Sequence, residues 1–227
     1  MKKNKRNTFW VKIILSLACC YHFPLFANEE TVPLYYSKVT IPLPKALQSR
    51  MQKYTWKPAC PVPLSDLALL SLSYWGFDKK SHIGNLIVNK NVAQEVVDIF
   101  RELYSQKFPI ALMLLAEDPL FKGSDDAMMA ANNTSAFNCR PITGQQDTYS
   151  NHSYGLAIDI NTMINPYVKG SVVLPPSGYL NRSKPVPGMI SKGDPVYNAF
   201  ISRGWAWGGE WASRQDYQHF EKPSGLK

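Results

Sequence analysis

SNHSYGLAIDIN, Ser150 to Asn161, changes character after Tyr154, where apolar residues begin to alternate with small or acidic ones. Because successive strand side chains point to opposite faces, a strand over Gly155 to Ile160 places Leu156, Ile158 and Ile160 on one face and Gly155, Ala157 and Asp159 on the other. The first face is core material. The second is bare except for one carboxylate. With His152 just ahead of the strand, that bare face has room for a cation and offers it an imidazole and a carboxylate, both borderline-to-hard ligands. Spacing alone does not settle the matter, since a lone His or Asp is more often a hydrogen-bonded structural residue.

A second segment, GWAWGGEWASRQDYQHFEKP from Gly204 to Pro223, adds His219 as a third candidate ligand, with Asp216 three residues before it. Asp216 is then near enough to act as general base on a water at the metal. In a straight strand the two would face opposite sides, so a bulge or turn must intervene. Glu210 and Glu221 are rival bases in the same segment. Trp205, Trp207 and Trp211 fit a cleft lining and a core or sheet-edge role equally well.

Further out, Val92, Val96, Ile99, Phe100 and Leu103 recur at helical spacing and predict an amphipathic helix over residues 91–106. The apolar run Ile110 to Ala116, flanked by Pro109 and Glu117-Asp118, predicts a buried strand. A second helix is expected within Ser191 to Gly204, with Asp194 as N-cap, Pro195 at the first helical position and Gly204 as the stop. The stretch 165–195 is dense in Pro and Gly and longer than ordinary connections, which makes it a candidate active-site flap or a plain surface excursion. Residues 28–63 show no sustained period and read as an extended arm over the surface of a catalytic domain spanning 64–227. The mixture predicts a single α+β domain, an antiparallel sheet with helices packed on it and a metal site in a cleft.

The first 27 residues read as a secretory signal peptide: Lys2, Lys3, Lys5 and Arg6 precede a short apolar run, Phe9 to Cys20, interrupted by Lys12, with a small residue, Ala27, at the expected cut. That run is shorter than the roughly 20 apolar residues needed to span a bilayer. Acylation at Cys19 or Cys20 is a weaker alternative, because Ser16 stands where a large aliphatic residue is usual. We therefore expect export, to the periplasm or beyond, with no stable membrane span. Five of the 25 basic residues leave with the leader, so 20 face 17 acidic groups and the net charge falls from +8 to +3. A charge that mild argues against nucleic acid as a partner. Cys60 and Cys139 remain in an oxidising compartment and are a candidate disulfide. The N-x-S/T triplets at Asn132, Asn133, Asn151 and Asn181 read as chance, since a glycan on Asn151 would crowd His152. Nothing in the sequence specifies an oligomeric state.

Ser150, His152, Gly155, Ala157 and Asp159 together fit S-x-H-x-x-G-x-A-x-D, and Asp216 to His219 fits D-x-x-H. In these motifs the chain resembles the VanY-type D-alanyl-D-alanine carboxypeptidases, zinc peptidases whose fold is shared with hedgehog-type zinc domains. The resemblance extends over about Asp66 to Glu221, including NNTSAFNCR (Asn132 to Arg140) and WGGEW, and departs from close relatives at Thr162, beyond the ligands. It implies His152, Asp159 and His219 as zinc ligands, Asp216 as general base, Arg140 as a substrate-facing cation and Ser150 as a residue near the substrate. Two imidazoles and one carboxylate leave a fourth position open, the arrangement that activates water near neutral pH. The implied substrates are peptidoglycan stem peptides, and the implied reaction is release of terminal D-alanine. Two other readings stay open: an endopeptidase cutting the L-alanyl-D-glutamate bond with the same ligands, and a non-catalytic wall-binding zinc domain, against which Asp216 speaks.

Overall fold

A computed structural model describes residues 33–142 and 145–223. The leader, with Cys19 and Cys20, lies outside the described residues, as do the first residues of the expected arm.

The remainder of that arm is structured. It forms strand β1 (Ser37–Thr40) and helix α1 (Lys45–Tyr54). β1 pairs antiparallel with β2 (Leu67–Gly76), which pairs in turn with β3 (Ser81–Asn89). The expectation of an extended surface arm is thus corrected from residue 37 onward. Leu43, Leu47 and Met51 are buried with Leu67, Ile87 and Phe137, so a few well-spaced apolar side chains anchor a segment whose composition is otherwise polar.

Helix α2 (Ala93–Ser105) matches the predicted helix, and it buries Val96, Ile99, Phe100 and Leu103 against the sheet. The predicted strand 110–116 shrinks to β4 (Pro109–Ile110), which pairs parallel with Trp75 and Gly76 of β2. Beyond Ile110, side-chain amides and isolated backbone bonds take the place of a continuous strand partner: the Leu112 carbonyl accepts from Thr134 N–H and the Met113 carbonyl from Asn85 N–H. Asn161 Oδ1 accepts from Ala111 N–H, and Asn133 brackets Leu114, accepting from its N–H and donating to its carbonyl. Ile110, Met113 and Ala116 remain buried, so the apolar run reports burial correctly while its backbone bonds lie elsewhere.

The chain continues through α3 (Asp125–Ala130), β5 (Pro141–Ile142), β6 (Gln145–Tyr149), β7 (Ala157–Asp159), β8 (Tyr167–Lys169) and β9 (Val172–Leu174). It ends with α4 (Pro195–Ile201), β10 (Ala206–Trp207), β11 (Gln215–Asp216) and β12 (His219–Glu221). α4 is the predicted second helix, starting where expected and ending somewhat before its stop: Asp194 caps it by accepting from Tyr197 N–H at 2.7 Å, Pro195 opens it, and Gly204 follows with φ +75°. The segment 165–195 contains the β8–β9 hairpin, whose first strand pairs with β11. Among the described residues four sheets replace the single antiparallel sheet expected, with the orders β1-β2-β3 (β4 on β2), β10-β12-β7, β11-β8-β9 and β5-β6. The α+β class holds. Ile158, Ile160 and Phe220 join α2 and β2 in the main core, so the strands that carry the candidate ligands are packed down by their alternate residues. Phe220 stacks on Phe200 of α4 with ring centroids 4.0 Å apart. Among the described residues, no helix is long and apolar enough to cross a membrane.

Candidate metal centre

β7 and β12 run antiparallel with His219 directly opposite Asp159, which places the two side chains on one face a few ångströms apart. His152 reaches them from a short 3₁₀ turn, Asn151–Tyr154, that ends at Gly155. Gly155 has φ +67°, and a Cβ there would meet the backbone N of Asn89 at 2.5 Å. The motif glycine is therefore required both by the left-handed turn and by close approach to β3. Ser150 is the N-cap of this turn, its Oγ accepting from His152 N–H at 3.4 Å. It is also among the residues that line the cavity described below.

Ligand atoms of His152, Asp159 and His219 all lie within 4.8 Å of one another, and all three residues are buried. His152 Nε2 is 3.2 Å from both His219 Nδ1 and Asp159 Oδ2, and His219 Nδ1 is 2.9 Å from Asp159 Oδ1. The far side of each ring is committed. His152 Nδ1 donates to the Ala136 carbonyl at 2.6 Å, and His219 Nε2 donates to Glu221 Oε2 at 3.0 Å. Since a carbonyl and a carboxylate only accept, each ring carries its proton outward and turns the other nitrogen to the common centre. Two nitrogens and a carboxylate oxygen so disposed fit a zinc-type donor set. Without a cation the same atoms interact with one another. Burial alone would lower the His219 pKa, but the Asp159 and Glu221 carboxylates raise it to about 10. Asp159, despite burial, is held well below the usual carboxylate range by the His152 and His219 imidazoles.

Asp216 sits on β11 in a different sheet, separated from β12 by a turn at Tyr217-Gln218. That turn resolves the facing problem of a straight strand. Burial pushes its carboxyl up to about 6, with His219 pulling down and Asp159 pushing up. Its Oδ1 is buried with no hydrogen-bond partner. Gly208 makes room for this strand, because a Cβ there would lie 2.7 Å from the Asp216 carbonyl and 2.8 Å from its Cβ. The close approach gives a physical reason for a glycine in WGGEW.

A cavity of about 780 Å³ is lined by Asp159, Asp216, His219, Arg140 and Trp211 among others. Four buried side-chain polar atoms among the described residues have no partner, and three of them, Asp216 Oδ1, Arg140 Nε and Gln218 Oε1, belong to residues of this wall. Buried polar atoms normally find partners, so such a concentration marks a place that a ligand completes. Trp211 joins the wall, tilted on His219 with centroids 5.3 Å apart, whereas Trp205 and Trp207 are core. Of the rival bases, Glu221 is occupied by His219 and by Asn151 Nδ2 at 2.6 Å, and Glu210 pairs with Lys192 and Tyr197.

Residues 143–222 match the family model described as D-alanyl-D-alanine carboxypeptidase. The matched span contains the three candidate ligands and Asp216, and it supports a metallopeptidase. No curated protein and no solved structure matches the chain.

Arg140 lies before the matched span. Its backbone is fixed by Ser153, whose Oγ accepts from Arg140 N–H at 2.9 Å and donates to the Arg140 carbonyl at 2.8 Å. The disulfide Cys60–Cys139 tethers the same stretch to the N-terminal part of the chain, across a sequence separation of 79. Ser135 exchanges backbone bonds with Asp159, so NNTSAFNCR runs beside both His152 and Asp159. The sequence reading missed the roles of Ser135, Ala136, Ser153 and Glu221. Backbone carbonyls and reused motif residues leave no side-chain signal of their own; Glu221 was visible only as an acid two residues after a histidine.

Proposed function

We propose that this chain is an exported, zinc-dependent D-alanyl-D-alanine carboxypeptidase that removes the terminal D-alanine of peptidoglycan stem peptides, and that the cavity is its substrate cleft. The observation that carries the reading is the convergence of His152 Nε2, His219 Nδ1 and Asp159 beside the unpartnered Oδ1 of Asp216. His152, Asp159 and His219 would hold the metal. Zinc bound there supplies Lewis-acid activation of a water near neutral pH. Asp216 takes the proton of the attacking water and returns it to the departing amine, a task suited to a carboxyl whose pKa of about 6 lies near the working pH. Arg140, a residue of the cavity wall whose Nε–H has no partner, polarises the scissile carbonyl. The ring of Trp211 and the β8–β9 hairpin wall the cleft and limit water around the peptide.

The test is mass spectrometry of products from a defined stem pentapeptide incubated with zinc-loaded protein. Release of D-alanine is expected. A cut between L-alanine and D-glutamate would replace this reading with the endopeptidase, and stoichiometric zinc with no turnover of either bond would make the chain a wall-binding domain. Export is tested separately: the N-terminal sequence of protein recovered outside the cytoplasm should begin at Asn28.

A further inference from the structure

The two arginines on the cavity wall are in different electrostatic states. Arg140 is already compensated: its Nη2 is 2.7 Å from Asp125 Oδ2, and its Nη1 donates to the Pro141 carbonyl at 3.4 Å. A substrate carboxylate arriving at this guanidinium would have to displace Asp125. Arg214 has no carboxylate partner among the described residues, and its one hydrogen bond there is a long 3.5 Å contact to the neighbouring Ser213 Oγ. It is nevertheless held in place. Its Cζ lies 4.3 Å from the centroid of the Trp211 ring, and Trp211 in turn lies against His219. Stacking fixes the plane of a guanidinium while leaving its edge N–H groups free, which prepares it for two parallel bonds to a carboxylate. Lys169 also reaches the wall, but its exposed ammonium has no such support and presents a point charge instead of a fork.

From this contrast we infer that Arg214, stacked on Trp211, is the residue that binds the free terminal carboxylate of the substrate, while Arg140 serves the scissile carbonyl. The inference rests on the carboxypeptidase reading. In that reaction the terminal carboxylate lies one residue beyond the bond cut, about 3.8 Å of chain. Trp211 touches both the His219 ring, at 5.3 Å between centroids, and the Arg214 guanidinium, at 4.3 Å, so the stacked cation stays within two ring contacts of the candidate centre, as a leaving group one residue long requires.

The experiment compares kcat/KM on a stem pentapeptide with a free and with an amidated terminus, for the wild type, Arg214→Ala, Arg214→Lys, Arg140→Lys and Lys169→Ala, with zinc content measured on each. The wild type should prefer the free acid by about 10- to 100-fold. Arg214→Ala should lose that preference, chiefly through KM, while keeping zinc and its rate on the amide. Arg214→Lys should recover part of the preference, and Lys169→Ala should keep it. Arg140→Lys should slow both substrates alike. If Arg214→Ala still prefers the acid, or if Arg140→Lys or Lys169→Ala abolishes the preference instead, the assignment to Arg214 is overturned and the carboxypeptidase reading stands. If the wild type itself cuts both termini equally, or cuts elsewhere, the carboxypeptidase reading fails and this assignment falls with it.

Discussion

The half of the molecule built on β2 and β3 and the half that carries the metal centre solve opposite problems. β2 and β3 have ten and nine residues, and with α2 they bury Leu70, Leu72, Val96, Ile99 and Phe100 almost completely. The strands around the centre, β7 to β12, have two or three residues each. Buried polar side chains divide just as sharply: among the described residues Thr55 and Ser73 are the only ones before Glu117, and the remainder, from Glu117 to His219, include every candidate ligand. Long ladders and apolar contact hold the first half. The second is held by side-chain hydrogen bonds, the disulfide and the apolar residues that alternate with the ligands. A site that must keep lone pairs free cannot be a well-satisfied core, so its support comes from a neighbouring region that is one.

Substitutions on the two sides should therefore separate stability from chemistry. The largest effect is expected from Asp216→Asn, which keeps the shape but cannot take a proton: kcat should fall about 10²- to 10⁴-fold with zinc content unchanged. The wild-type rate should decline as pH falls through about 6 or somewhat below, because a protonated Asp216 is no base and a cation at the neighbouring ligands favours its charged form. Activity retained by Asp216→Asn but lost in Glu210→Gln would name a different base. Leu72→Ala should cost about 2–5 kcal/mol in denaturant unfolding and leave zinc affinity of the folded fraction intact; loss of zinc by fully folded protein would show that the halves are coupled more tightly than the packing indicates.

A smaller effect is expected at Glu221, which holds His219 in its metal-ready tautomer and also accepts from Asn151, next to His152. Glu221→Gln should weaken zinc binding about 10- to 100-fold by competitive chelator titration, with little change in melting temperature. Unchanged affinity would remove Glu221 from the support of the centre. The smallest effect concerns Glu117, buried away from the cavity with Oε1 unpartnered, where burial pushes the carboxyl up to about 7. Its folded-state pKa lies above the ordinary value of 4.5, so its favourable contribution is complete below about 4.5 and is lost as pH rises through about 7. Glu117→Gln should accordingly raise stability by about 2 kcal/mol at pH 8 and flatten that pH dependence. An equal slope of stability against pH in both proteins would count against it.

The candidate ligands were legible because Ser150 to Asp159 and Asp216 to His219 fit two short motifs, to which the strand's period of two added only the face that Asp159 takes. The capped helix α4 and the amphipathic helix α2 were legible for the same reason: their signals are local. Three features were not. Residues 111–116 look like a strand by composition, but their backbone groups bond one by one to the side chains of Asn133 and Asn161 and to the backbones of Thr134 and Asn85, partners chosen by tertiary structure. Residues 37–54 look unstructured because Leu43, Leu47 and Met51 are few, yet each is buried. The division of labour between Arg140 and Arg214 depends on Asp125 and Trp211, whose positions no spacing rule conveys.

The central claim is that His152, Asp159 and His219 form one metal centre, and elemental analysis by mass spectrometry of purified wild-type, His152→Ala, Asp159→Ala and His219→Ala proteins, each confirmed folded by circular dichroism, tests it most directly. Three protein ligands with an open position predict about one zinc per wild-type chain and substantial loss of zinc in each variant. Full zinc stoichiometry in all three folded variants would place the metal elsewhere and contradict the account.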